Sequence, residues 1–179
     1  MDAERVLRIG FGFDIHRLVP ANKVITERPN RKLYIGGVAI PPGPPGGGQA
    51  DWVLEGHSDA DVLLHAVTDA VLGALAWGDI GLWFPNTDEQ YRDASSSELF
   101  RAVWQKAVGE GWVLGNCDAT LLAELPKLSP HYESMRAAIA NLFAAEITQV
   151  SVKATTMEKL GSIGRGEGIA AQAVVLLTR

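Results

Sequence analysis

The chain has 179 residues, 47% of them hydrophobic and 21% charged, and carries a formal net charge of −5. That length can bury an ordinary core without staples, and the mixture is that of a globular chain rather than a disordered one. An acidic balance argues against nucleic acid as the main partner, because backbone phosphates are bound by a basic face; a small phosphorylated ligand, held by metal ions and main-chain N–H groups, stays open. No apolar run approaches the roughly 18 residues of a membrane span. Met1-Asp2-Ala3-Glu4-Arg5 has no basic stretch followed by an apolar one, so a cytoplasmic protein is expected. The one cysteine, Cys117, has no intrachain partner and reads as a small buried hydrophobe.

In chain order, Val6 to Phe13 is β-branched and glycine-punctuated, which predicts a first strand. Ala21 to Lys32 is polar without periodicity and reads as a surface loop. Leu33 to Ile40 reads as a strand pair broken at Gly36-Gly37. The Pro/Gly run 41–48 cannot sustain a helix or a central strand. Ser58 to Trp77 predicts the clearest helix, with Ser58 as its cap, Asp61 three residues on, and Val62, Leu63, Ala66, Val67, Ala70, Val71 and Ala74 along one face. Further helices are expected over Ser96–Val108 and Pro130–Phe143, and strands over Asn116–Leu122, Val150–Thr155 and Ile169–Leu177. Strands and helices mix without strict alternation. The expected fold is therefore α+β, a single domain over 1–179 with a mixed sheet covered on one face by helices, written more finely as a ferredoxin-like sandwich.

Three of the four histidines lie close to aspartates. Asp14 and His16 stand two apart on an extended segment, so alternation puts both side chains on one side. His65 lies on the long helix, four residues after Asp61 and four before Asp69; either acid could take its second N–H. Two imidazoles and a carboxylate suit Zn²⁺ with one position left open, and Mn²⁺ or Fe²⁺ could use the same atoms. Singly, each residue reads as an ion pair or a core histidine; together they favour a metal. Gly10-x-Gly12 follows a strand, but Ile15 fills the third glycine position of a dinucleotide fingerprint, and no P-loop motif is present. Close packing or close backbone approach explains these glycines better. Thr155, Thr156 and Glu158 precede the glycine-rich turn 161–168, where Arg165 could meet an anion. A lone Glu suits Mg²⁺, which takes its other ligands from water and phosphates.

Asp14-x-His16, His57-Ser58-Asp59-x-Asp61…His65, Asp79-Ile80-Gly81…Phe84-Pro85-x-Thr87-Asp88 and Lys153-Ala154-Thr155-Thr156-x-Glu158-Lys159-Leu160-Gly161, in this order, closely resemble the 2-C-methyl-D-erythritol 2,4-cyclodiphosphate synthase family of the non-mevalonate isoprenoid pathway. The likeness runs from about Arg8 to Leu177, outside loops near 21–32 and 42–54. The resemblance implies a homotrimer with an active site at each subunit interface. It implies a cytidine-diphosphate ester of methylerythritol 2-phosphate as substrate, with CMP and a cyclic diphosphate as products. By matched motif, Asp14, His16 and His65 would hold Zn²⁺ and Glu158 would hold Mg²⁺ or Mn²⁺, while His57 and Thr156 would stabilise the transition state. Asp14, Ile15, His16, His57 and Ser58 would also contact the substrate. Asp79, Ile80, Gly81, Phe84, Pro85, Asn86, Thr87 and Asp88 would hold the methylerythritol part. Ala123, Glu124, Leu125, Pro126, Lys127, Leu128 and Ser129 would take the cytidine end, Thr155, Thr156, Met157 and Glu158 would contact the substrate, and Ser162 and Arg165 would lie in the phosphate-proximal turn. Phe11, Asn86, Gln172 and Ser162 depart from residues common in relatives, and none of the four is a metal ligand. Two other readings fit the bare chemistry: a metal-dependent phosphodiesterase that uses water, and a trimeric metal-stabilised binding module.

Overall fold

The computed structural model describes residues 5–24, 28, 31–42 and 51–179. Positions 43–48 of the Pro/Gly run, and much of the loop expected over 21–32, lie outside the described residues. The elements are β1 (Leu7–Pro20), β2 (Leu33–Ile35), β3 (Val38–Ile40), β4 (Trp52–Leu54), α1 (Val62–Ala74), α2 (Ile80–Trp83), α3 (Ser96–Gly109), β5 (Val113–Leu122), α4 (Tyr132–Phe143), β6 (Val150–Thr155), α5 (Gly161–Gly164) and β7 (Gly168–Thr178). The main sheet has five strands in the order β4-β1-β7-β5-β6, and β2 pairs with β3 as a separate hairpin. Among the described strands only β5 and β6 run parallel, joined through α4 as a parallel pair requires. The α+β class and the mixed sheet agree with the sequence reading. The connectivity of the four longer strands does not: it is β-α-β-α-β-β, whereas a ferredoxin-like sandwich runs β-α-β-β-α-β.

The first strand is longer than its local sequence predicts. It continues past Phe13 because it pairs with β7 from Leu7↔Thr178 to Arg17↔Gly168 and then with β4 from Leu18↔Leu54. Long-range pairing overrides the modest strand propensity of Asp-Ile-His. Along β1, Gly10 and Gly12 face the helices, while Ile9, Phe11, Phe13 and Ile15 are exposed on the other face. The glycines serve close approach: a Cβ on Gly10 would stand 1.8 Å from the Ala70 carbonyl oxygen, and one on Gly12 2.0 Å from that of Ala66. Helix α1 is accordingly pressed against the strand and buried almost all round.

Helix α1 also starts later than expected. Ala60 sits in the left-handed region at φ 56°, so no helix passes through it. The cap is Asp61, whose carboxylate accepts the N–H groups of Leu63 and Leu64, and of Gly36 and Gly37 across the β2–β3 turn. Four N–H donors satisfy a fully buried carboxylate. On the outer layer, Phe100 and Trp104 of α3 meet Phe143 of α4, each at 4.8 Å between ring centroids, and the Trp104 indole N–H donates to the Phe143 carbonyl at 3.0 Å. Among the described residues no helix is long and apolar enough to cross a membrane.

Candidate functional site

Alternation along β1 places Asp14 and His16 on the helix-facing side, where α1 delivers His65 from above. The Asp14 Oδ2 atom lies 2.9 Å from His16 Nε2 and 2.9 Å from His65 Nδ1, and the two ring nitrogens are 3.1 Å apart. One oxygen and two nitrogens thus converge on a point, as expected from the sequence. Ligands at Zn–N and Zn–O distances in a tetrahedral shell stand about 3.3 Å from one another, so the triangle is close to the size that such an ion needs. The donor set fits a divalent metal, with an open side toward a cavity.

The ring orientations also fit. His16 Nδ1 lies 2.8 Å from the Glu55 carbonyl oxygen. A carbonyl can only accept, so Nδ1 carries the proton and Nε2 presents a lone pair to the centre. For His65, neither acid on its own helix receives the second N–H, contrary to the sequence reading. Asp61 is taken up by its four main-chain donors, and Asp69 accepts the Ile80 N–H at 2.7 Å. His65 Nε2 instead meets the hydroxyls of Ser96 at 2.9 Å and Ser58 at 3.2 Å. Ser58 accepts the Ala60 N–H rather than capping α1. Burial would raise the Asp14 carboxyl, but the adjoining His16 and His65 rings hold it far below the usual range. Burial would lower His65, yet the Asp14 carboxylate beside it raises its pKa.

A cavity of about 370 Å³ opens next to this triad, lined among others by His16, His57, Ser58, Ile80, Phe84 and Asn86. Gly81 and Pro85 border it too, as do Tyr91 and Leu99, which motif reading did not single out. His57 Nε2 donates to the Asp88 carbonyl at 3.1 Å, which leaves Nδ1 as the free ring atom. Asp79 caps α2 through the Leu82 N–H at 2.9 Å, and Asp88 caps the turn that follows it, with exposed Thr87 between them. Ile15 turns its side chain to the opposite face of the sheet.

The remaining expected residues form a second group. Ala123, Glu124, Pro126, Lys127, Leu128 and Ser129, with Tyr132, Ala154, Thr155 and Thr156, line a cavity of about 330 Å³; Leu125 packs against the core beside it. Glu124 Oε1 accepts the N–H groups of Met157 and Lys159, each at 3.0 Å, and so pins a loop in which Glu158 and Lys159 are both left-handed. Thr156 Oγ1 donates to Glu158 Oε1 at 2.7 Å. Ser162 lies in α5, and Arg165 is engaged with Glu167 at 2.6 Å rather than aimed into a concavity.

Within one chain these two groups lie apart. His16 pairs with Ile169, Ala170 pairs with Leu122, and Leu122 pairs with Thr155. Three strand spacings therefore separate the main chain at His16 from that at Thr155, roughly 14 Å.

The YgbB family model matches residues 7–178. A protein of Geobacillus kaustophilus named 2-C-methyl-D-erythritol 2,4-cyclodiphosphate synthase is 55% identical over 97% of this chain and 99% of its own. One of the same name from Geotalea uraniireducens is 51% identical over 97% and 99%. Among solved structures, the bifunctional IspDF of Campylobacter jejuni superposes with a TM-score of 0.84 at 37% identity, covering 98% of this chain and 43% of that longer one. A 2C-methyl-D-erythritol-2,4-cyclodiphosphate synthase solved in a CDP-bound form superposes with a TM-score of 0.78 at 32% identity over 95% and 99%. With a match over nearly its whole length and Asp14, His16 and His65 brought together, the chain belongs to the YgbB family, alongside the 2-C-methyl-D-erythritol 2,4-cyclodiphosphate synthases.

Proposed function

We propose that the chain converts 4-diphosphocytidyl-2-C-methyl-D-erythritol 2-phosphate into 2-C-methyl-D-erythritol 2,4-cyclodiphosphate and CMP, as a cytoplasmic enzyme of isoprenoid precursor synthesis. The observation that carries this reading is a triad of metal-ligating atoms opening onto the His57–Asn86 cavity in a chain half identical to synthases of that name. In the reaction an oxygen of the 2-phosphate forms a bond to the β-phosphorus. The bond from that phosphorus to the bridging oxygen breaks, and CMP leaves with the electron pair. Asp14, His16 and His65 would hold Zn²⁺, and Glu158 would hold Mg²⁺ or Mn²⁺ with the diphosphate. Such cations supply charge neutralisation between the phosphates and polarise the phosphoryl oxygens. The protein's own task is positioning: both reacting groups belong to one bound molecule, so holding them in line removes much of the barrier. Ile80 and Phe84 provide apolar wall for the methylerythritol part, with Asn86 at its polar end. Main chain and side chains of 123–129 receive the cytidine, and Thr156 and His57 flank the transferring group.

We further propose that the active unit is a homotrimer with the site shared between neighbours. Paired metals in phosphoryl transfer act about 4 Å apart, whereas His16 and Thr155 of one chain are roughly 14 Å apart across the sheet. A neighbouring copy that brings its 123–129 and 155–158 segments to this chain's triad closes that gap. The sheet face opposite the helices supports such packing, since Ile9, Phe11, Phe13, Ile15 and Val174 expose apolar side chains there.

The test is ³¹P NMR of the protein with the substrate and Mg²⁺, with and without a chelator. A cyclic diphosphate and CMP, lost on chelation, are expected; two linear monophosphates would replace this reading with hydrolysis. His65→Ala should lose zinc and turnover together.

A further inference from the structure

Resting on the reading that Asp14, His16 and His65 hold a divalent metal, we propose that Asp59 and Ser96 are positioning residues that lock His65 in the tautomer able to bind it. A neutral imidazole carries one ring proton, and His65 must keep it on Nε2 if Nδ1 is to offer a lone pair beside Asp14. Nothing at Nδ1 enforces this, because the Asp14 carboxylate would accept an Nδ1–H at 2.9 Å equally well. The decision falls to the other end of the ring. There the neighbours are two hydroxyls, and a hydroxyl can donate or accept.

Asp59 removes the ambiguity. Its Oδ1 is in close contact with Ser96 Oγ, and its Oδ2 accepts the Ser96 main-chain N–H at 3.0 Å. An ionised carboxylate only accepts, so the single hydroxyl proton of Ser96 is committed to Asp59. Ser96 Oγ is left with lone pairs alone toward His65 Nε2, 2.9 Å away, and the ring has to supply the proton. The carboxylate is itself held. Asp59 Oδ1 also accepts the Asp61 N–H at 3.2 Å, and the Asp59 main-chain N–H donates to the Ala94 carbonyl at 3.0 Å. Ser96 is buried at the first position of α3. The chain of bonds thus runs from a helix start, through a carboxylate and a hydroxyl, to a metal-facing ring.

His16 obtains the same result from a main-chain carbonyl, which no substitution at Glu55 removes. His65 depends on two side chains and is the ligand whose orientation can be lost by mutation. Without the Ser96 hydroxyl, Nε2 keeps only Ser58 among the described residues, whose proton no carboxylate among them claims and which can donate to the ring. The Nδ1–H form then becomes available, and a metal has to displace that proton.

The experiment measures Zn²⁺ affinity of the metal-stripped protein by competition with a chromophoric chelator, for wild type, Ser96→Ala, Asp59→Asn and the double variant. Each single change should weaken zinc binding about 10–100-fold, and the double variant should be little weaker than either, because both break one chain of bonds. Turnover at saturating zinc should recover most of its wild-type value while the zinc concentration needed rises. Asp59→Asn preserves shape and carries the test if Ser96→Ala fails to fold. Unchanged zinc affinity in the folded variants would overturn the proposal. Long-range ¹H–¹⁵N correlation of ¹⁵N-histidine protein above neutral pH reads the tautomer without metal. The Nε2–H form is expected for His65 and its loss in Ser96→Ala, whereas an Nδ1–H form in the wild type overturns the proposal. Wild-type protein that takes up no zinc would defeat the metal reading alone, and the NMR arm would still decide this one.

Discussion

Cys117 shows how far a single side chain is set by its surroundings. It sits on β5 facing the core and is almost wholly buried, and burial first, then the nearby Asp118 carboxylate, pushes its thiol up to about 12. The thiolate is the reactive species, so at neutral pH the native protein should react with Ellman's reagent about a thousandfold more slowly than the urea-unfolded chain. Equal rates would place the thiol in water. The sequence reading of this residue as a small hydrophobe needed only the absence of a second cysteine in the chain. Ser96 is the opposite case. It stands in a run of three serines at a helix start, which signals a cap, and nothing local indicates that its hydroxyl faces a histidine 31 positions earlier.

Among elements, those whose shape follows from local chemistry were legible. Helices α3 and α4 and strand β6 fall within a residue or two of their apolar periodicity and turn signals. Those shaped by distant partners were not: β1 gains its second half from β7 and β4, and α1 loses its first turn to the left-handed Ala60. The segment from β4 to α1, which carries His57 and Ser58, owes its course to a residue outside every motif. The Arg31 side chain is 6% exposed, and its guanidinium donates to the carbonyls of Leu54 at 2.9 Å and of Ser58, with Asp93 at 3.3 Å. Arg28 adds a bond to the Gly56 carbonyl at 2.6 Å. A planar fork spans several carbonyls at once, and an ammonium group does not. Arg31→Lys should therefore cost about 2 kcal/mol in urea unfolding and speed amide exchange at 55–59 while leaving that of α4 unchanged. Unchanged exchange at 55–59 would show that the loop holds its own shape.

For the whole molecule, the face of the sheet away from the helices is where sequence and structure had to be read together. Each exposed residue of β1 looks ordinary alone; only the strand's full length aligns Ile9, Phe11, Phe13 and Ile15 into one apolar band beside Val174. Gln172 lies on the same face, between Phe13 and Thr120. If this face joins three copies, Phe11→Asp should shift sedimentation from three chains to one and abolish turnover without unfolding the protomer. A trimeric, active variant would move the interface elsewhere. The same strand alternates between two duties, with even positions offering Gly10, Gly12, Asp14 and His16 to the helices and odd positions forming the band. Inserting or deleting one residue in β1 would exchange the two sets, turning Asp14 and His16 outward and phenylalanines toward α1. Length in this strand can change only by pairs, a constraint that the aperiodic sequence over 21–32 and the Pro/Gly run 41–48 does not carry.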